Sequence, residues 1–437
     1  MEITVKNFGN ISKADVHIGG LTVICGENDT GKSTIGKILF SIVKAIARYE
    51  EDLDEGKENM VTEISEKVYF SLRREINVSS RSDIKDLFHP RKFYSQIKND
   101  KSKVIEDSTL TLENLYAEGL LNEELYNFAV HSLDEINKVM EETIEKKTAI
   151  NRAVRKAFYS EFRGDVVQKG NEPVLPAMVS VTDGASNLID LSWNKEGLTT
   201  FAFHDDLGFT DATYIESPAI IQYHNLISIA QTISMGSKDT MSRFSVPMHL
   251  KDLSTKLSDS MYSFIDLFGE ENPILEISKK IENLYGGNVS YDKDKSDFVL
   301  NRNGYSVSSH NTASGIKAFS ILDLLIKGAN IQKNSLLIID EPEVNLHPSW
   351  QVKYCELVID LVSLGVDVIV TTHSPYVIET LKQLSERSDV ANKFYLTSKD
   401  SRKPISTFTD ITNDIHLAIE LLAEPLLKLN RDSFDDF

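Results

Sequence analysis

Cysteine is nearly missing. The 437 residues hold two, Cys25 and Cys355, far apart in the chain. No disulfide framework can be built from such a pair, and a reducing, cytoplasmic location is expected. The opening MEITVKNFGN has no basic segment followed by an apolar one, so it does not read as a secretory leader. No apolar run approaches the roughly 18 residues of a spanning helix. The longest, such as 335–339, are strand-length, and no membrane partner is expected. H-E-x-x-H and C-x2-C are both absent, which leaves zinc chemistry without support. Repeats of fixed period and low-complexity tracts are absent too. Basic charge is in deficit, with 47 Lys and Arg against 66 Asp and Glu, a net charge of −19. Such a chain repels nucleic acid on average and points to protein partners, although a local basic face can still act alone.

What is present is enough for a large core. Hydrophobic residues make up 41%, and the length suits one large head with insertions or two to three domains. Ile3, Val5 and Phe8 suggest a first strand, and Ala14, Val16 and Ile18 a second. Residues 21–25 form a short apolar run, and 33–48 have helical spacing. From 49 to about 170 charge is dense and glycine scarce, with helical spacing over 61–76, 113–126 and 128–162. Strand patterns return at 178–181, 188–193, 198–203 and 213–215. A second helical stretch covers about 220–284, and strands at 288–291, 297–300 and 305–308 follow it. Then a helix (314–328), an apolar strand (336–339), a helix (348–363), an apolar strand (366–370) and a helix from 375 alternate. That alternation predicts a parallel sheet covered on both faces.

Gly26-Glu27-Asn28-Asp29-Thr30-Gly31-Lys32-Ser33 fits G-x-x-x-x-G-K-[ST], between an apolar strand and a helix. The glycines let backbone N–H groups face a β-phosphate, Lys32 reaches the β- and γ-phosphates, and the Ser33 hydroxyl ligates Mg2+. With Thr34, these residues form the candidate nucleotide-binding set. Leu336-Leu337-Ile338-Ile339-Asp340-Glu341-Pro342 ends a strand in two acids. Alone this can be a capped strand end. Beside a phosphate loop, Asp340 becomes a Mg2+ carboxylate and Glu341 the general base that polarises the attacking water.

The order of these pieces resembles the ABC-type ATPases of the SMC and OLD (overcoming lysogenization defect) group, which includes ATPase subunits of anti-phage systems such as Septu. The resemblance lies in ITVKNFGNISKADVHI…LTVICGENDTGKST, LLIIDEPEVNLHP and VIVTTHSPYVI, and covers about 1–48 and 288–398. It implies an α/β fold, a P-loop ABC-type ATPase head of mixed sheet and flanking helices, with helical insertions. The implied division is an N-terminal lobe over 1–48, a helical insertion over 49–175, head strands over 176–223, a second insertion over 224–287, the rest of the head over 288–400 and a C-terminal segment over 401–437. ATP and Mg2+ are the implied cofactors. Ser314 and Gly315 stand at the family's signature, which contacts the γ-phosphate held by a second copy. A homodimer or higher homo-oligomer closed around ATP is therefore implied. Ile316-Lys317 departs from the family's usual Gly or Glu before a basic residue, and Ser314 also reads as a plain helix cap. His373 matches the residue that senses the γ-phosphate. Asn345-Leu346-His347 occupies the D-loop. Gln222 is the nearest glutamine to the expected Q-loop and would then join Ser33 and Asp340 at the metal; its alternative is a buried helix residue.

The OLD-type nucleases continue into a TOPRIM domain. About 60 residues follow His373, and the acids Asp432, Asp435 and Asp436 follow no apolar strand, so a solvated end is expected there. The chain alone is not expected to cut nucleic acid. The leading expectation is an ATPase switch or sensor acting on a separate effector, a nuclease or toxin, in prokaryotic defence. The rival is a DNA-tethering or repair ATPase of SMC-like type, for which Lys146, Lys147, Arg152, Arg155 and Lys156 supply a basic run. A transporter ATPase would need a full Leu-Ser-Gly-Gly-Gln and a short helical lobe, and the chain has neither.

Overall fold

In the computed structural model, residues 1–76, 88–167, 175–235, 246–260, 273–302, 304–399 and 405–424 are described. Contacts divide the chain into two units, Met1–Ala47 with Val154–Phe437, and Arg48–Ala153.

The larger unit starts with the hairpin β1 (Glu2–Phe8) and β2 (Ile11–His17), then β3 (Leu21–Gly26) and α1 (Lys32–Ala47). The chain then builds α2 (Tyr49–Glu75), α3 (Pro90–Asn99), α4 (Lys101–Ala117) and α5 (Glu123–Glu141). These helices share a core of their own, around Val61, Leu72, Phe93, Leu112 and Leu133. After α6 (Lys146–Phe162) come the meander β4 (Ala177–Asp183), β5 (Ser186–Asn194) and β6 (Gly197–Phe203), and then β7 (Asp211–Ile215). Three helices follow, α7 (Ile220–Met235), α8 (Met248–Asp259) and α9 (Pro273–Tyr285), with a small sheet of β8 (Asn288–Asp292), β9 (Asp297–Arg302) and β10 (Tyr305–Ser308). The last part reads α10 (Ser314–Lys327), β11 (Ser335–Asp340), α11 (Pro348–Ser363), β12 (Asp367–Thr372), α12 (Pro375–Arg387), β13 (Asn392–Lys399) and β14 (Ser406–Asp410).

Eleven of the described strands form one mixed sheet, in the order β6-β5-β4-β1-β2-β14-β13-β3-β12-β11-β7. One half, β6 to β2, is antiparallel. In the other half β13, β3, β12, β11 and β7 run parallel. The sequence explains the split. β3 is buried along its whole length and β11 along all but its last residue, as strands covered on both faces must be. β1 alternates buried and accessible positions. β14 joins the halves, parallel to β2 and antiparallel to β13. Sequence patterning does not find β14, because Ser-Thr-Phe-Thr-Asp contains no apolar run.

α1 lies close on the parallel half. A Cβ at Gly36 would come within 2.9 Å of Ile338 and of the Tyr214 ring, so only glycine allows that approach. The far end of α1 is fixed by a buried ionic quartet. Lys44, with its side chain wholly buried, pairs with Asp211 and, at 2.7 Å, with Asp252. Lys256 meets the same two acids at 2.7 and 3.1 Å. Burial works against charge on Asp211, but Lys256 and Lys44 overcome it and hold its carboxyl below the ordinary range.

Two helical expectations change. The helix read over 113–126 is interrupted after Ala117, where Gly119 takes φ +71°, and Asn122 caps α5 by accepting from Leu125 N–H at 2.8 Å. The helix read over 128–162 is two, since α5 stops at Glu141 and α6 starts at Lys146. Residues 142–145 contain neither glycine nor proline, so spacing alone runs through the break. Among the described residues no helix is long and apolar enough to cross a membrane.

Candidate nucleotide-binding site

The parallel strands end side by side. Register places Thr397 of β13 beside Gly26, Cys25 beside Thr372 of β12, Thr371 beside Asp340, and Ile339 beside Ile215 of β7. In open α/β sheets the carboxyl edge is where ligands bind.

The loop after β3 needs its glycines. Gly26 has φ +143°, and a Cβ there would lie 2.2 Å from Thr397 Oγ1 and 2.4 Å from its carbonyl oxygen. Gly31 has φ +85°, and its Cβ would meet Ile11 at 2.6 Å. Asp29 between them also has positive φ, +58°. Hydroxyls brace the loop from the neighbouring strands. Thr30 Oγ1 donates to Glu27 O at 2.8 Å and lies 2.6 Å from Thr397 Oγ1, while Ser406 Oγ donates to Thr30 O at 2.7 Å. Asn10 Nδ2 donates to Asp29 O at 2.9 Å. Glu27, Asn28 and Asp29 are exposed, and Ser33 and Thr34 half-buried. The first turn of α1, Lys32-Ser33-Thr34, presents the N–H groups that a helix leaves unpaired and that attract anions. Lys32 is buried and donates to Glu27 O at 2.7 Å. Burial pushes its pKa below the ordinary value, against the pull of Glu341 and Asp340.

Facing the loop, Asp340 gathers three hydroxyls. Ser33 Oγ donates to its Oδ1 at 2.9 Å, Tyr214 OH to its Oδ2 at 2.9 Å, and Thr371 Oγ1 also to Oδ1. Glu341 sits at φ +49°, in the left-handed region that favours glycine, and its N–H donates to Thr371 O at 3.0 Å. Its Oε1 is 3.1 Å from His373 Nε2. The structure therefore brings Lys32, Ser33, Asp340, Glu341 and His373 to one place. An oxygen set of hydroxyl and carboxylate at this spacing suits Mg2+.

Other residues singled out in the sequence lie elsewhere. Gln222 Oε1 accepts from Lys317 Nζ at 2.6 Å. Ser314 opens α10 and is exposed. The cap position is Ala313 and carries no side-chain cap bond, which corrects the reading of Ser314 as a cap. Gly315 packs on Trp350, whose Cζ3 would be 3.0 Å from a Cβ. His347 caps α11 by accepting from Ser349 N–H. Asp432, Asp435 and Asp436 lie outside the described residues.

Three contributors escape sequence reasoning. Tyr214 and Thr371 act on Asp340 only because β7 and β12 flank β11. Glu343 Oε1 accepts from Thr372 Oγ1 at 2.9 Å and from His373 N–H at 2.7 Å, while its buried Oε2 has no hydrogen-bond partner among the described residues. Burial pushes the Glu343 carboxyl above its ordinary pKa. Its place in Glu341-Pro342-Glu343 is the signal that could have found it.

Residues 1–378 match the family described as AAA ATPase domain. The chain belongs to the AAA ATPase domain family. No curated protein matches this AAA ATPase. Among solved structures it is similar to the SMC head domain from Thermotoga maritima, at 10% identity and TM-score 0.38, covering 94% of this chain and 97% of that one. It is also similar to an SmcHead bound to the C-winged helix domain of ScpA, at 12% identity and TM-score 0.43, covering 95% and 98%. A third is the Smc head domain with an extended coiled coil bound to the C-terminal domain of ScpA from Pyrococcus furiosus, at 13% identity and TM-score 0.41, covering 97% and 98%.

Proposed function

We propose that this AAA ATPase binds ATP with Mg2+ between the 26–34 loop and the Asp340 edge, hydrolyses it, and uses the cycle as a switch on a separate effector protein. The observation that carries the reading is the bond from Ser33 to Asp340 with Glu341 and His373 alongside. Loop N–H groups and Lys32 hold the β- and γ-phosphates. Ser33 and Asp340 hold Mg2+, which when bound offsets phosphate charge. Glu341 takes the proton of the attacking water, and His373 orients that carboxylate.

Ser314 and Gly315 share no hydrogen bond with the loop or the acids among the described residues, and they are the groups offered to the nucleotide of a second copy. The active form is then a homodimer closed around ATP. The helical segments 49–175 and 224–287 serve as docking surfaces for the effector, in a defence role. The DNA-tethering alternative fits the family and the fold equally; within its basic run Arg155 donates to Leu198 O at 2.9 Å.

The test is ATP turnover with Mg2+, together with particle size with and without ATP. Wild type should turn over, and Lys32→Ala should fall to background. Glu341→Gln should bind ATP, fail to hydrolyse it and accumulate as a dimer. Turnover retained in Lys32→Ala overturns the site. A Glu341→Gln monomer with ATP overturns the sandwich. Turnover that rises with DNA favours the tethering alternative.

A further inference from the structure

Among the described residues β7 is the last strand of its sheet, with β11 on one side. An edge strand lacks a second ladder, and here ionic side chains add to the burial of residues 212–215. Asp211 anchors its start through Lys44 and Lys256. Glu216, just past its end, accepts from Lys37 Nζ of α1 at 2.8 Å and lies 3.2 Å from His249 Nε2.

His249, the second residue of α8, has a wholly buried side chain. Its Nδ1 is 2.6 Å from Oε2 of Glu161, itself wholly buried near the end of α6, and its backbone N–H donates to Glu161 Oε1 at 2.8 Å. With a carboxylate oxygen at each ring nitrogen, the site favours the imidazolium, which can donate from both. Tyr214 and Phe40 pack around it, with centroids 5.0 and 6.3 Å away. The groups facing it are Glu161 from α6 and Glu216 and Tyr214 from the β7 segment, with Lys37 of α1 behind Glu216. Burial works against its charge, but Glu161 and Glu216 more than offset that and raise its pKa. Glu216 is lowered to about 2, mostly by the His249 hydrogen bond, with Lys37 adding to it.

Tyr214 lies two residues before Glu216, and its hydroxyl sits on Asp340 Oδ2 at 2.9 Å. Wherever the end of β7 is held, that hydroxyl is held too. We propose that His249 is a positioning residue for ATP turnover: by clamping Glu216 against Glu161 it fixes the end of β7 and keeps the Tyr214 hydroxyl on Asp340. The inference rests on the ATPase reading above. A buried ionic group of this kind is seldom the most stable filling for its space; what it adds is geometry.

The test is the pH dependence of kcat in Glu161→Gln, a position that touches no residue of the nucleotide site. In wild type, kcat should fall as rising pH removes the His249 proton, because one carboxylate then loses its donor. Glu161→Gln removes an acid that favours the imidazolium, so the fall should move to lower pH. A move of about half a unit is a threefold loss at fixed pH on that limb. ATP affinity, read with a fluorescent analogue, should stay unchanged; the melting point should fall, because one acid of a buried pair is lost, so kcat is read well below it. Tyr214→Phe keeps the ring and loses the hydroxyl; kcat should fall without a change in affinity. The double variant should be no worse than Tyr214→Phe alone, since both act through one contact. A Glu161→Gln profile that superimposes on wild type, or effects that multiply in the double variant, overturns the clamp while leaving the ATPase reading standing. A wild type that hydrolyses no ATP overturns both.

Discussion

Lys44→Met removes one charge from the quartet that pins α1 to β7 and α8. The Lys44 side chain is wholly buried, and those of Asp252 and Lys256 are 4% and 7% exposed. Two cations balance two anions, so the variant leaves one negative charge in excess inside the protein. Breaking a buried pair from one side costs about 3–5 kcal/mol, because the remaining charge keeps its desolvation penalty without its partner. For a large unit the melting point moves by about 2 °C per kcal/mol, so a fall of about 6–10 °C is expected. Lys44→Met/Asp252→Leu restores neutrality and leaves the Lys256–Asp211 contact of 2.7 Å intact. It should recover at least half of the loss, a coupling that separates charge balance from packing. Calorimetry or circular dichroism melting of wild type, Lys44→Met, Asp252→Leu and the double variant decides the matter. A Lys44→Met protein that melts within 2 °C of wild type, or a double variant as unstable as the sum of its parts, refutes the reasoning.

Thr397→Val keeps the shape of the side chain but removes the hydroxyl that donates to Cys25 O at 3.1 Å and meets Thr30. About 1–2 kcal/mol of stability should be lost in urea unfolding, together with weaker ATP binding. Glu343→Gln keeps an acceptor for Thr372 and His373 and should retain most turnover, whereas Glu343→Ala frees the His373 segment and should lose about tenfold in kcat, about 1.4 kcal/mol, at unchanged ATP affinity. Because the Glu216 pKa falls from 4.5 to about 2 on folding, its contribution to stability is present above pH 4.5 and lost as pH drops towards 2. The melting-point lead of wild type over Glu216→Gln should therefore shrink between pH 5 and pH 3; a lead that stays constant contradicts the assignment.

The sequence by itself determined the chemistry that is local along the chain. A glycine-bounded loop between an apolar strand and a helix can be read from 26–33, since positive φ and close backbone approach restrict those positions to glycine wherever the loop ends up. Four apolar residues before Asp340-Glu341 announce a strand buried on both faces, and the alternation after 314 announces a parallel sheet. Tertiary structure decided what depends on which strands become neighbours. Tyr214, Thr371, Thr397 and Ser406 are ordinary strand residues until the order β13-β3-β12-β11-β7, with β14 beside β13, turns their hydroxyls towards the loop and Asp340. β14 itself is polar because it joins two halves of a sheet rather than filling a core, so it carries no hydrophobic period to detect. Gln222 accepts from Lys317 of α10, a pairing across 95 residues that its sequence position does not announce. Glu161, His249 and Glu216 are separated by tens of residues, and a buried charge can be recognised only once its partners are in place, because nothing in the spacing of single acids and a histidine says that they will share one interior site.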